Sequence, residues 1–370
     1  MKDYNKIRVG ILGMGGMGCK YARLMMEGKV PGMELAAVTR ICRDQREEML
    51  SLLPPNVQVF NSAEELLACD NMDAVVVCLP HDLHEEVVTR ALDRGLHVLC
   101  EKPLGLSAAQ AERMRAKAAE KGKLLAVILQ QRTLPVWRWL HEVAANQTYG
   151  ALKRVNYLLT GYYRPDCYYV NGKWRSSWER GGGGLLFNQC VHGLDMLQWI
   201  CGMPSRVQAF CHEGKWHDIE VEDDVTAYLE FPGGATGIFV ASTGEAPGRR
   251  RFEISLEKAQ ILVENGQVQI FELTEDEKEF RKNSADAFGC PKGEWRTKPM
   301  PEEKELYAAV LNNFAEAILE GKPLIADGKD GLGSILLAEG MYLSSWQHQM
   351  ISLPFEESDY QKAFEAHINR

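Results

Sequence analysis

The sequence predicts an α/β protein with an N-terminal doubly wound parallel sheet, followed by an α+β domain with an open, mainly antiparallel sheet. Three observations predict it. Apolar runs without alternation trade places with helical periodicity over the first 130 residues, and a glycine-rich turn joins the first run to the first helix. Beyond residue 130 the strands alternate and are separated by tight-turn signals. A chain of 370 residues also exceeds what one small core serves. The division is expected at 1–130 and 131–370.

Ile7–Gly13 (IRVGILG) is apolar throughout, as a strand covered on both faces requires. A helix is expected from about Met17 to Glu27, then a strand at Met33–Thr39. Ser62-Ala-Glu-Glu65 is a capping-box pattern ahead of Leu66 and Leu67. Ala74–Pro80 reads as another buried strand. Val87, Val88, Ala91 and Leu92 place a helix over 82–94, stopped by Gly95. Leu96–Cys100 is a strand, Ser107 opens a helix that Gly122 closes, and Leu124–Leu129 ends the series. After a short helix at Pro135–Ala145, Pro232-Gly233-Gly234 and Asn265-Gly266 mark antiparallel hairpins. Thr274–Lys298 is charged and reads as a surface excursion. Two amphipathic helices follow, at about 303–320 and 331–346.

Composition removes several classes. Hydrophobic residues at 45% and charged residues at 25% exclude disordered and fibrous chains. A net charge of −9 argues against nucleic acid or an anionic membrane as partner. No apolar run reaches the roughly 18 residues a bilayer span needs. The polar start passes straight into a strand, so no signal peptide is expected. Ten cysteines without a C-x-x-C pair read as free thiols in a reducing cytoplasm.

Gly13-Met-Gly15-Gly16-Met17-Gly18 fits G-x-G-x-x-G in the strand–turn–helix context that gives the string meaning. Gly13 permits the tight turn, Gly15 lets backbone approach a pyrophosphate, and Gly18 lets helix pack on sheet. The phosphates then meet unpaired N–H groups at the helix N-terminus. This makes the first domain a Rossmann domain. At the end of the second strand stand Thr39, Arg40 and Arg43, with no carboxylate until Asp44. Thr39 can donate a hydrogen bond, and either arginine can pair with a 2′-phosphate or simply sit solvated on the surface. The coenzyme is NADP or NAD, and the lean is to NADP. Lys102 lies at the end of the Leu96–Cys100 strand, where parallel sheets place ligands.

Several motifs in order resemble the Gfo/Idh/MocA family (glucose–fructose oxidoreductase and inositol dehydrogenase) over nearly the whole length. They are the GMGGMG turn, Cys78-Leu79-Pro80-His-Asp-Leu-His84, ALDRGLHVLCEKPL with Glu101 and Lys102, and Gln131-Arg132. Trp174-Arg175, GGGGLLFNQCVHGLD and the tail NNFAEAILEGKPLIADGKDGL complete the set. The resemblance implies tightly held NAD(P), a carbohydrate or polyol substrate, and homodimers or homotetramers formed through the second-domain sheet. It makes His192 the acid/base that works with Lys102, and a pKa near 6.5 suits an imidazole to that work. Family members commonly carry Asp where this chain has Asn188. An amide cannot accept the proton, so Asn188 is expected to position substrate. Asp195 either orients His192 or supports its helix.

By the same carry-over, Leu79, Pro80, His84 and Glu101 join the cofactor side, and Arg132 the substrate side. Tyr163, Trp174 and Arg175 lie in an aromatic and basic stretch whose rings and donors suit a sugar's C–H faces and hydroxyls, though core packing is an equal use for each ring. His212, His217 and Asp218 with Glu220, Glu222 and Asp223 match no standard metal spacing and read as a solvated acidic loop. The expected activity is NAD(P)-dependent hydride transfer at a secondary hydroxyl or carbonyl of a sugar, polyol or glycoside. The alternatives are glycoside cleavage through transient oxidation and a catalytically silent dinucleotide or sugar sensor.

Overall fold

The computed structural model describes residues 6–39, 49 and 51–369, which form two compact units. In the first unit, six strands order as β3-β2-β1-β4-β5-β6, all parallel. They are β1 (Ile7–Leu12), β2 (Met33–Thr39), β3 (Gln58–Phe60), β4 (Ala74–Val77), β5 (His97–Cys100) and β6 (Leu125–Val127). β4 is buried along its whole length, as its unbroken valine run demands. Helices α1 (Gly16–Met26), α2 (Ala63–Leu67), α3 (His84–Asp93) and α4 (Ala108–Lys121) connect them. Ser62 accepts from the Glu65 amide, Ser107 from the Gln110 amide, and Gly122 ends α4 in the left-handed region. The order reverses between β1 and β4, which opens a crevice at their carboxyl ends.

The division differs from two consecutive halves. Lys304–Ile335 returns to the first unit. Helix Leu306–Glu320 buries Val310, Leu311 and Phe314 in the same core as Val9, Ile11, Tyr21 and Val76. Chain order carries no sign of that return, which is set by packing between residues some 300 positions apart.

The second unit is built on nine strands ordered β14-β13-β12-β11-β7-β10-β9-β8-β15. These are β7 (Leu152–Leu159), β8 (Arg206–Glu213), β9 (Glu222–Glu230), β10 (Thr236–Ser242), β11 (Arg250–Leu256), β12 (Ala259–Glu264), β13 (Gln267–Leu273), β14 (Gly293–Lys298) and β15 (Ile351–Ser352). Only β7 and β10 pair in parallel. Alternation is clean: in β12, Ala259, Ile261 and Val263 are buried and their neighbours are not. The Thr274–Lys298 excursion adds a seven-residue helix and then β14 as an exposed edge strand. No described helix is long and apolar enough to cross a membrane.

Candidate functional site

Gly13 sits at the end of β1 with φ +96°, and a Cβ there would meet the Cys78 carbonyl oxygen at 2.5 Å. Gly18 packs so closely that its Cβ would lie 2.1 Å from the Gly13 carbonyl oxygen. Gly15 and Gly16, by contrast, look into open space, and no side chain caps α1. Bare backbone thus faces a cleared volume at a helix N-terminus, the cradle a pyrophosphate fits. Met17 turns its side chain to the core and can offer only its amide. Thr39 is buried, and its Oγ1 accepts the Gly13 N–H at 2.8 Å. Its hydroxyl hydrogen remains the donor. Arg40 and Arg43 lie outside the described residues.

Leu79, Pro80, Glu101 and Lys102 follow β4 and β5 on the same carboxyl edge of this sheet. Glu101 accepts from the buried Tyr21 hydroxyl at 2.5 Å and from the Lys102 amide at 3.1 Å. Tyr21 lies on α1, so α1 and the lysine-bearing loop share one carboxylate. His84 needs correction as a cofactor contact. It is fully buried, with Nδ1 2.9 Å from the Pro103 carbonyl and Nε2 2.9 Å from that of Leu79. Burial pushes its pKa down. It ties the two strand-end loops together and has no face left for a ligand.

Arg132 is also corrected. Its side chain is 2% exposed, pairs with Asp330 at 2.9 Å and donates to the Ile325 carbonyl at 3.2 Å. It fastens the returning C-terminal segment within the first unit.

In the second unit the glycine run leads into a short helix, Leu185–Asn188, and then Val191–Cys201. From Gly183 to Leu197 every residue is buried except Asn188 and His192. These two lie on separate short helices, Asn188 ending the first and His192 near the start of the second, with Gln189 and Cys190 between them. Asp195 is fully buried and accepts from Gln198 Nε2 at 3.0 Å. Two groups hold the run in place. Glu222, fully buried at the start of β9, accepts the Gly184 amide at 2.8 Å and the Leu186 amide at 2.7 Å. Gly183, at φ +149°, leaves room for the Tyr342 hydroxyl, which a Cβ would meet at 2.1 Å. Burial pushes Glu222 up to about 7, against the donors that hold it down.

The acidic stretch is solvated only in part: His212, Asp218 and Glu220 are exposed, whereas His217, Glu222 and Asp223 are buried. Asp223 is fully buried and accepts the amides of Lys215, Trp216 and His217, and also contacts His217 Nδ1 at 3.0 Å. His217 Nε2 meets the Arg164 carbonyl at 2.9 Å. Among the described residues no group of three or more His, Cys, Asp or Glu could hold a metal ion. Sequence reasoning took Glu222 and Asp223 as solvated and passed over Tyr342; the alternation of Val225, Ala227 and Leu229 in the same strand was an available signal that Asp223 points inward, and no such signal marked Glu222.

Tyr163 is 53% exposed, while Trp174 and Arg175 are half-buried and stack at 4.7 Å. Trp178 belongs to packing: it is 5% exposed, lies edge-on to Tyr342 and donates to the Glu220 carbonyl.

The model of an oxidoreductase family with an NAD-binding Rossmann fold matches residues 7–129, and that of a GFO/IDH/MocA C-terminal domain matches 137–262. Trans-1,2-dihydrobenzene-1,2-diol dehydrogenase of Mus musculus is 30% identical over 64% of this chain and 68% of its own. Myo-inositol 2-dehydrogenase of Thermotoga maritima is 24% identical over 90% of this chain and 94% of its own. The solved WlbA dehydrogenase of Chromobacterium violaceum, in complex with NADH and UDP-GlcNAcA, superposes with a TM-score of 0.81 at 25% identity, covering 96% of this chain and 98% of that one.

Proposed function

The chain belongs to the Gfo/Idh/MocA family of NAD(P)-binding oxidoreductases, and on that premise we propose that it oxidises a secondary hydroxyl, or reduces the corresponding carbonyl, of a sugar, polyol or glycoside. The observation that carries the proposal is the common strand-end edge of the glycine cradle and Lys102 within one sheet. The names of similar proteins, inositol and dihydrodiol dehydrogenases, support the substrate class.

When bound, the nicotinamide supplies the hydride acceptor or donor. The chain's own groups do the rest. The Lys102 ammonium donates to the substrate hydroxyl oxygen and offsets the negative charge that grows there. His192 takes the hydroxyl proton in the oxidative direction and returns it in the reductive one. Asn188, half-buried like His192, donates through its NH₂ and accepts through its carbonyl, so it orients the substrate without exchanging a proton. NADP is the proposed coenzyme, because Thr39 offers a donor and Arg40 and Arg43 offer cations where a carboxylate would select NAD.

A second copy of the chain is the proposed cover for the open face of the nine-stranded sheet. Pairing register puts Phe210, Tyr228, Ile238 and Trp295 on that one face, all exposed.

Mass spectrometry of the nucleotide carried by the purified protein, then a sugar and glycoside panel read by nicotinamide absorbance, tests the reading. Stoichiometric nicotinamide reduction is expected. Sugar cleavage without net redox change would overturn it.

A further inference from the structure

We infer that the substrate carries an oxyanion, a carboxylate or phosphate on the sugar, received by the guanidinium edges of Arg164 and Arg175. The inference rests on the carbohydrate reading above and narrows it.

Arginines and aromatic rings alternate along the second unit's 162–175 stretch. The Arg250 guanidinium lies 4.7 Å from the Tyr162 ring centroid, with Arg164 at 6.0 Å from the same ring. Tyr168 stands 5.0 Å from Arg164 and 4.9 Å from Arg175, which also covers Trp174 at 4.7 Å. Three cations are thus gathered with three rings. A guanidinium covered by rings on its faces can donate only at its edge.

Those edges have no anion. Among the described residues, Arg164 and Arg250 donate only to the backbone carbonyls of Tyr163 and Gly161, and Arg175 has only its ring neighbours. Arg164 Nε is buried and without a partner, a costly state for a cationic donor. Several arginines elsewhere are paired: Arg113, Arg206, Arg249 and Arg296 each meet a carboxylate at 2.6–3.1 Å. In a chain of net charge −9, carboxylates are abundant, and none reaches these three.

The backbone of Arg164 is also fixed in place. The Arg164 amide donates to the Thr243 carbonyl at 2.9 Å, and its own carbonyl meets His217 Nε2, which Asp223 anchors from the other side. Tyr162, at the head of the stack, is within electrostatic reach of Cys190, which immediately precedes the helix carrying His192. An uncompensated, fork-shaped donor set near the proposed proton-transfer helix suits bidentate capture of a carboxylate or phosphate.

The test compares a neutral hexose with its uronic acid and its 1-phosphate, by kcat/KM from nicotinamide absorbance on the intact protein. One or both anionic sugars should exceed the neutral parent by about tenfold or more, and the two arms tell carboxylate from phosphate. Arg175→Met should raise KM for the favoured anion by roughly 10- to 100-fold more than for the neutral parent, with kcat nearly unchanged, and its melting temperature reports that the variant is folded. Arg175→Lys, keeping charge but losing the fork, should fall between. Equal kcat/KM for neutral and anionic sugars, or an Arg175→Met loss shared by all three, makes the stack a mere loop staple and overturns the inference while the dehydrogenase reading stands. No nicotinamide reduction with any of the three removes both.

Discussion

Tyr342 donates its hydroxyl to the Glu222 carboxylate at 2.7 Å, on the same oxygen that accepts the Leu186 amide. Both residues are fully buried, so the segment that presents Asn188 and His192 hangs from one carboxylate and one phenol.

That arrangement predicts a pH dependence. Burial holds the Glu222 carboxyl at about 7 in the folded protein, above its value in an unfolded chain. A raised carboxyl contributes its full stability below the unfolded pKa and loses it as pH rises through the folded one. Each unit of the rise is worth about 1.4 kcal/mol. Glu222→Gln removes the titration and leaves the run's donors with one acceptor oxygen. Wild type should therefore be more stable than the variant at pH 5, with the margin shrinking toward pH 8. Melting temperatures of the pair across that range check it; a constant margin would mean that Glu222 does not titrate there.

Arg132 gives the opposite kind of expectation. Because its guanidinium fastens Asp330 and the Ile325 carbonyl, Arg132→Met should cost roughly 2–3 kcal/mol of stability. KM for the substrate should not move. Denaturant unfolding beside steady-state kinetics separates the two, and a large KM change with unchanged stability would restore Arg132 to the substrate side.

The contrast marks what the sequence could tell. The parallel sheet was legible because buried strands write themselves as apolar runs, Val75, Val76 and Val77 most plainly. The cradle was legible because a turn, a close approach and a bare helix end each demand glycine at a fixed spacing. Arg132 and His84 were misread because a motif shows which residues travel together but not which partner satisfies them. Glu222 looked solvated for a related reason: its burial is decided by amides and a phenol 36 to 120 positions away, whereas Asp223 is held by amides six to eight positions upstream, and an acidic string shows neither.

Lys102→Ala should leave nucleotide binding largely intact and lower turnover by about a hundredfold or more, the scale of one lost preorganised donor. Nucleotide fluorescence titration and kcat, measured on the same preparation, check it. Normal turnover in the variant removes Lys102 from the chemistry.

Arg40→Asp should shift coenzyme preference from NADP toward NAD, since a phosphate partner is exchanged for a carboxylate that repels phosphate. One charge-assisted contact is worth about 1.5–3 kcal/mol, or roughly 10- to 150-fold in the ratio of affinities. Dissociation constants for both coenzymes decide it. Tighter wild-type binding of NAD than of NADP would contradict the assignment before any variant is made.

Asn188 and His192 are the two half-buried positions of an otherwise buried run, close in sequence across the junction of two short helices, so a charge placed on one is felt by the other. An amide at 188 supplies no negative charge to stabilise an imidazolium at 192. Asn188→Asp does, and it should make the His192 ring harder to deprotonate. In the oxidative direction His192 must be neutral to accept the hydroxyl proton. The acid-side limb of kcat/KM, which reports ionisations of free enzyme and substrate, should therefore move to higher pH in the variant. Asn188→Ala should leave that limb where it is and raise KM instead, because it removes a hydrogen-bonding partner of the substrate without adding charge. His192→Ala should abolish the limb together with most of the rate. If Asn188→Asp leaves the profile in place while His192→Ala stays active, the proton passes through some other group, and these two positions serve binding alone.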